Sequence, residues 1–539
     1  MTQPLQADIV IVGSGIAGAL AAHALAQAGL DVVILEAGQP VDRAQALQHF
    51  WDAAGKAPDA AYPAQPQAMH PVSDQPDRWY QQAGPDRFKS SYLKVVGGTT
   101  WHWLGTCLRL LASDFQTRTR YGYGVDWPIS YEELEPYYCL AEQALGVSGS
   151  SSEDLGSPRS QPFLLPAIPQ TYLDLELARA LADTPFRVQA TPQARNSVVH
   201  DQRPACCGSS SCIPVCPVQA KYDATVHLKK AQAAGARLLD QSTVVQLIPD
   251  ARGKIASARF QRWDQSEWHI QARIFILACN AIETPRLLLA SHTAAWPQGL
   301  ANRSDQLGRN LMDHPTQLSW ALSEAPVYPY RGPLSTSGIE NLRDGDFRRT
   351  RSAYRIEIGN DGWNWPTGAP MTLAAELAGR GLAGSALDKA LAHQASRHLR
   401  LAALIEQLPQ AANRVTLHPD KKDVYGVPLP HIHYRVDDYA RQGMASARED
   451  HHAIFQKMKA SEIHHAGEFF GAGHIMGTCR MGSDPRQSVV DARLCSHDHD
   501  NLYVLGSSVF PTGGTANPTL TIAALSLRAA GHIKRRMQA

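Results

Sequence analysis

Four of the nine cysteines stand within the run RPACCGSSSCIPVCPVQAKYD, Arg203 to Asp223, as Cys206, Cys207, Cys212 and Cys216. Thiolate sulfur is a soft ligand, and a thiol-dense loop that closes on CxxxCP suits iron–sulfur or zinc ligation. Zinc prefers two separated CxxC pairs, a spacing missing here, so iron–sulfur is the better reading and a loop of unligated cysteines the bland one. Adjacent side chains diverge, so Cys206 and Cys207 do not both reach one compact cluster, and three ligands are the economical count. The remaining thiols, Cys107, Cys139, Cys279, Cys479 and Cys495, are odd in number and irregular in spacing. They read as buried apolar side chains rather than a disulfide framework.

A second chemistry is written near the N-terminus. Gly13, Gly15 and Gly18 form GxGxxG directly after the apolar run Asp8 to Val12 and ahead of an Ala/Leu-rich helical stretch, Ala19 to Ala28, closed by Gly29. A second apolar run, Asp31 to Leu35, ends on Glu36. The first glycine allows a tight turn, the second lets backbone approach a pyrophosphate, and the third lets helix and strand pack closely. Glu36 is placed to accept hydrogen bonds from an adenosine ribose. A glycine turn kept for packing alone is the weaker alternative, and the unit does not choose between NAD and FAD.

The elements that must carry these groups belong to a chain of 539 residues, long enough for two or three domains. A net charge of +1, spread along the chain, gives no footprint for nucleic acid or an anionic membrane. No apolar run reaches the roughly 18 residues of a membrane helix, and Met1 leads through polar residues straight into ADIVIVGSG, so no signal peptide is expected. Residues 39–89 read as irregular excursion. Ser130 with Glu133 forms a capping box that starts a helix ending near Gly146. Residues 236–260 alternate like strands; Arg273 to Ala278 is a buried strand running into a helix with Pro285 in its first turn. Residues 326–440 mix helical and strand patterns and suggest a second domain. A closing amphipathic helix begins near Pro518, and no internal repeat is present.

VGGTTWHW (Val96 to Trp103), VVQL from Val244, LACNAIETPRLLLAS (Leu277 to Ser291), LGRNLMDHP (Leu307 to Pro315) and FPTGGTANPTLTIAALSLRAA follow one another in a set order. Over nearly the whole chain they resemble the glucose-methanol-choline (GMC) flavoenzyme family. The resemblance implies FAD, with Gly97, Gly98 and Thr99 along the flavin and its diphosphate and the Val244 backbone at the adenine. His102 sits where some relatives attach flavin covalently through a histidine; a His that merely packs beside Trp101 and Trp103 is the favoured reading. The family's catalytic pair maps onto His474, in GAGHIMGTCRMG, and Asn517, in TANPTLT. A neutral imidazole near pKa 7 would take the hydroxyl proton while the carbon-bound hydrogen leaves as hydride, with Asn517 holding the same oxygen. His314, in DHP, reads as structural. Gly506 stands where the pattern commonly has Asp, and Cys279 and Asn280 where it has AG.

RPxCCGxxxCxPxCPxxAxY, with ARNS just upstream, is similar to a narrower group, the catalytic subunits of bacterial FAD-dependent glucose, fructose, sorbitol and gluconate dehydrogenases. That implies a 3Fe-4S cluster on Cys206, Cys212 and Cys216, with Cys207 a bystander. It also implies a small subunit with a twin-arginine export signal and a membrane-anchored multihaem cytochrome c. The expected fold is α/β: a Rossmann-like FAD-binding domain built from discontinuous segments, plus a second α+β substrate domain. The segments expected are 1–45, 226–325 and 466–539 for FAD, 46–190 as mixed excursion including 95–105, 191–225 as the cysteine loop, and 326–465 for substrate. The expected activity is a dehydrogenase oxidising a hydroxyl of a sugar, polyol or sugar acid, its electrons passing through the cluster to a cytochrome. The rivals are a GMC oxidase or flavin-dependent lyase with a structural metal loop, and an electron-transfer or binding subunit that holds flavin and cluster without substrate chemistry. The resemblance implies a periplasmic place, at the inner membrane through the partner subunits, by export with the small subunit; a cytoplasmic enzyme would look the same.

Overall fold

The computed structural model describes residues 5–53, 61–62, 67–68, 79–361 and 370–539. Two sheets organise it, each of seven strands. In the first, the continuous apolar run Leu5–Val12 lies between Val32–Leu35 and Glu267–Leu277, parallel to both, and Arg237–Leu239 extends the parallel set beyond Val32–Leu35. The long strand Glu267–Leu277 has two partners along one edge. Its first half pairs antiparallel with Ile255–Arg262, and Phe275 to Leu277 pair parallel with Leu502–Val504. Chain segments hundreds of residues apart thereby close one sheet, because each has an apolar run that must be covered on both faces. Helix Ile16–Ala26 packs on Leu5–Val12 and Val32–Leu35, and Thr225–Ala233 and Thr519–Gln538 pack against that helix.

The second sheet is antiparallel throughout. It runs Ser461–His465, Pro315–Leu322, His398–Ile405, Tyr354–Gly359, Ser337–Ile339 and Val188–Ala190, with Phe470–Gly471 also on Pro315–Leu322. Pro315–Leu322, inside the stretch 226–325 expected to return to the FAD unit, thus runs in this sheet. So does Val188–Ala190, within the expected excursion. Helix Asp438–Lys457 packs behind it, where Tyr354 Oη donates to Asp450 at 2.6 Å and Ser319 Oγ meets His451 Nδ1 at 2.9 Å. The opposite face, carrying Thr316, Leu318, Trp320, Glu357, Arg400, Ala402 and Leu404, turns toward the first sheet.

Local signals explain several element ends. Ser130 and Glu133 form the expected reciprocal cap on Tyr131–Leu145, and Gly146 ends that helix. The closing helix Thr519–Gln538 starts directly after Pro518. Residues 39–89 include helix Arg43–Asp52, capped by Asp42; residues 54–60, 63–66 and 69–78 of that stretch lie outside the described residues. Helix Asn280–Ala290 begins at the expected place, one residue ahead of Ala281, but Pro285 lies beyond its first turn, in the interior. Proline removes an N–H, which frees the carbonyl four residues back. Thr478 Oγ1 donates to that carbonyl, on Ala281, at 2.7 Å.

Candidate active site

One cavity of about 1130 Å³ lies between the two sheets. At its first-sheet end is the glycine turn. Gly13 has φ +100°, the left-handed region glycine alone occupies freely, and a Cβ there would come within 2.6 Å of the Ala278 carbonyl oxygen. A Cβ on Gly18 would stand 2.0 Å from the Gly13 carbonyl oxygen, so helix and turn touch backbone to backbone. Gly15 faces the cavity and a Cβ on it would meet nothing within 4 Å. That open cradle at the start of helix Ile16–Ala26 suits a pyrophosphate.

Glu36 is 6 % exposed and lines the cavity. Its carboxylate accepts from Ser14 N at 3.0 Å, Ser14 Oγ at 2.6 Å and Gly38 N at 2.9 Å. Burial nevertheless pushes its pKa up. Gly97 donates its N–H to the same Ser14 hydroxyl at 3.1 Å, joining the second glycine turn to the first. Gly98 and Thr99 begin the short helix Gly98–Trp101 and line the cavity, as do His102 and Val244, the latter on strand Ser242–Pro249. Gly97 sits behind them. Cys279 and Asn280 also reach the wall. Asn280 has φ +65°, which asparagine tolerates better than most side chains, and its Oδ1 accepts from Ile282 N and Glu283 N. That accounts for an Asn where the family pattern has Gly.

At the other end His474 and Asn517 meet, Nε2 to Nδ2 at 3.3 Å, both on the cavity wall. They come from different segments, and the structure holds each from behind. Asp313 Oδ1 accepts from the backbone N–H of His474 at 2.9 Å and of His314 at 2.8 Å. Its other oxygen takes the Ser90 hydroxyl, which in turn accepts from Gly473 N at 2.9 Å. His314 Nδ1 stands 2.8 Å from His474 Nδ1. Arg355, fully buried, donates to Asn517 Oδ1 at 3.4 Å and is held by Glu340 at 2.9 and 3.1 Å.

Burial pushes the His474 pKa well below the ordinary imidazole value, and the neighbouring His314 and Arg355 add to it. The ring is therefore neutral at physiological pH, not poised near 7 as the sequence reading asks. Burial likewise lowers His314 to about 4 and raises Asp313 to about 6. Asp313, Ser90, Arg355 and Glu340 are absent from the sequence reading. They belong to strands and loops without a motif, and only the DHP run gave a pointer to Asp313.

The cysteine loop packs behind the wall. Lys221, buried, donates its ammonium to the carbonyls of Trp101 at 2.7 Å and Trp103 at 2.5 Å, on either side of His102. Ile213, next to Cys212, lines the cavity itself. Cys212 and Cys216 are buried, Cys206 is half-buried and Cys207 is exposed. Gly208 N donates to Cys206 Sγ at 3.4 Å and Lys221 N to Cys216 Sγ at 3.5 Å. Arg195, 1 % exposed, lies near Cys206 with its Nε and Nη1 unpartnered. Among the described residues no group of three or more His, Cys, Asp or Glu side chains is gathered closely enough to hold a metal ion. Of the scattered thiols, Cys107, Cys139 and Cys479 are buried and Cys279 and Cys495 half-buried; burial raises Cys479 and Cys279 to about 12.

Sequence profiles of the GMC oxidoreductase family match residues 7–316 and 409–526. The chain belongs to that family. It is a flavin-dependent oxidoreductase with the GMC fold. It is 37 % identical to the fructose dehydrogenase large subunit of Gluconobacter japonicus, over 98 % of both chains. It is 30 % identical to 2-methyl-1,2-propanediol dehydrogenase of Mycolicibacterium austroafricanum, over 98 % of this chain and 96 % of that one. The gluconate 2-dehydrogenase flavoprotein of Pantoea cypripedii is 27 % identical, over 98 % of this chain and 93 % of its own. Among solved structures, formate oxidase of Aspergillus oryzae aligns over 100 % of both chains with a TM-score of 0.67 at 16 % identity. Pyridoxine 4-oxidase from Mesorbium loti aligns over 98 % of this chain and 99 % of its own, with a TM-score of 0.64 at 18 % identity. Among the described residues no helix is long and apolar enough to cross a membrane.

Proposed function

We propose that this GMC enzyme is a dehydrogenase that oxidises a hydroxyl of a sugar, polyol or sugar acid and delivers the electrons through an iron–sulfur cluster to a cytochrome-type acceptor. The observation that carries the reading is that one cavity joins the dinucleotide turn to the His474 and Asn517 pair. Gly13, Gly15, Gly18 and Glu36 would hold the adenosine and pyrophosphate end of FAD, with Val244 at the adenine. Gly97, Gly98, Thr99 and His102 would lie along the flavin. Bound there, FAD would supply the acceptor for the carbon-bound hydrogen and its electron pair. His474 takes the hydroxyl proton at Nε2. Asn517 Nδ2 has a second hydrogen to offer the same oxygen, which holds it in line for that transfer.

The substrate wall supports a polyhydroxylated substrate. Trp320 and Phe470 offer aromatic surface, and Glu357 and Arg400 offer charged hydrogen-bonding groups on adjacent strands. The relatives named as fructose dehydrogenase and gluconate dehydrogenase point the same way.

For the cluster, Cys206, Cys212 and Cys216 are the proposed ligands, supplying one-electron chemistry beside the flavin. What supports them is the charge of their surroundings. Backbone N–H groups point at two of the sulfurs, and the unpartnered guanidinium nitrogens of Arg195 and the Lys221 ammonium suit an anionic group. Loading must draw the three sulfurs closer together. The partners proposed are a small export subunit and a multihaem cytochrome c, which would place the enzyme in the periplasm.

The test is a panel of sugars, polyols and sugar acids scored anaerobically for flavin bleaching, on protein isolated with its iron retained. Bleaching by at least one member, with iron and acid-labile sulphide present, is expected. Turnover in air that yields peroxide without added dye would replace this reading with an oxidase. A panel that leaves the flavin oxidised throughout would replace it with a non-catalytic carrier.

A further inference from the structure

We propose that His314 is a positioning residue that sets the tautomer of His474, keeping the hydrogen on Nδ1 and leaving Nε2 as a bare lone pair facing the cavity. This rests on the reading of His474 as the base. The hydrogens along one chain of contacts are fixed from both of its ends.

At one end, His314 Nε2 lies 3.0 Å from the Gly514 carbonyl oxygen. A carbonyl only accepts, so this nitrogen carries a hydrogen. His314 is 0 % exposed, and burial keeps its ring neutral at physiological pH. A neutral imidazole has one N–H, so its Nδ1 is a lone pair. His474 Nδ1, 2.8 Å away, must then be the donor.

At the other end, Arg355 reaches Asn517 Oδ1 at 3.4 Å. A guanidinium only donates, so it fixes which end of the amide is oxygen. The Asn517 nitrogen therefore points at His474 Nε2, 3.3 Å away, and an amide NH₂ seeks a lone pair. Both ends give the same answer for the same ring, although they share no atom. The single carboxylate oxygen of Asp313 that binds the backbone N–H of both histidines holds the two rings in register.

Without a lone pair opposite Nδ1, only the longer contact from the Asn517 amide favours hydrogen on that nitrogen, and the Nε2–H form, which cannot take a proton from substrate, gains population. When His474 does take a proton at Nε2, its Nδ1–H bond to His314 becomes charge-assisted and supports the imidazolium.

The experiment uses the FAD-loaded enzyme labelled with [15N]histidine. The His474 ring signals are those lost in His474→Gln, and nitrogen shifts separate a protonated from a bare ring nitrogen. Hydrogen on Nδ1 is expected; hydrogen on Nε2 overturns the proposal. In parallel, His314→Leu, which cannot accept, should slow flavin bleaching at saturating substrate about 10²–10³-fold, with substrate Kd changed by less than about threefold. His314→Asn, whose Oδ1 can accept near the Nδ1 position, should recover at least about tenfold of that loss. Equal slowing in Leu and Asn variants, or a Leu variant that bleaches at the wild-type rate, overturns it. Should the Leu variant not fold, the nitrogen spectrum of the wild type still decides. Bleaching that survives His474→Gln refutes the base role itself, whatever tautomer the spectrum shows.

Discussion

A buried imidazole works as a base only if it is uncharged before the substrate arrives. His474 meets that condition through desolvation, reinforced by His314 and by the cation of Arg355. The sign follows directly: the proton-accepting form predominates above the His474 pKa and is lost as pH falls through it. The acid limb of the bleaching rate should therefore lie below the ordinary imidazole value of 6.5. A limb at or above that value would contradict the placement of the ring. His474→Ala should abolish bleaching while the protein keeps its yellow colour, because the glycine turns that would hold FAD stand at the far end of the cavity. Loss of flavin together with activity would show that the residue serves binding instead.

The elements that carry these residues depend on a few close approaches. Gly18→Ala would drive a methyl into the Gly13 carbonyl, 2.0 Å from the ideal Cβ position, and neither backbone can yield without opening the turn. Flavin content after purification should fall at least about tenfold, which corresponds to about 1.4 kcal/mol of lost binding. Undiminished flavin absorbance would show that the helix shifts harmlessly. Helix Asn280–Ala290 is tied to the 88–99 segment by Glu283, which pairs with Lys94 at 2.9 Å and Arg286 at 3.0 Å and accepts from Tyr92 Oη. Burial alone would raise Glu283, but Lys94 and then Arg286 outweigh it and hold it at about 2. A depressed carboxylate contributes stability that is complete above its unfolded value and lost as pH falls toward the folded one. The gap in Tm between wild type and Glu283→Gln should therefore shrink as pH drops from about 5 toward about 2. A gap that stays constant would assign Glu283 a purely steric role.

At the scale of the molecule, two sheets with different logic share one cavity, and the cysteine loop closes it from behind. Lys221 joins the loop to the His102 segment, and Ile213 carries the loop onto the cavity wall. If the loop carries the proposed cluster, Cys212→Ser should spare part of dye reduction but block reduction of a cytochrome, with iron content reduced in step. Cytochrome reduction at the wild-type rate would remove the cluster from the path. Loss of the iron on changing exposed Cys207 alone would reassign the ligand now given to Cys206.

The amino-acid sequence by itself determined the parts whose physics is local. GxGxxG after an apolar strand, a Ser130 to Glu133 cap, and Asn517 ahead of Pro518 each specify a turn or a helix start through neighbours in the chain, and each stands where expected. The ordered motifs likewise marked the family. The tertiary structure decided what depends on burial and on residues far apart in sequence. Pro315–Leu322 joined the second sheet because its fully buried residues needed antiparallel partners at His398–Ile405 and Ser461–His465, which no local pattern reveals. Helix Asn280–Ala290 could enclose Pro285 because Thr478 satisfies the carbonyl that proline frees. His314 read as structural because its carbonyl partner, Gly514, lies 200 residues away, so the hydrogen it carries becomes assignable only once the chain has folded.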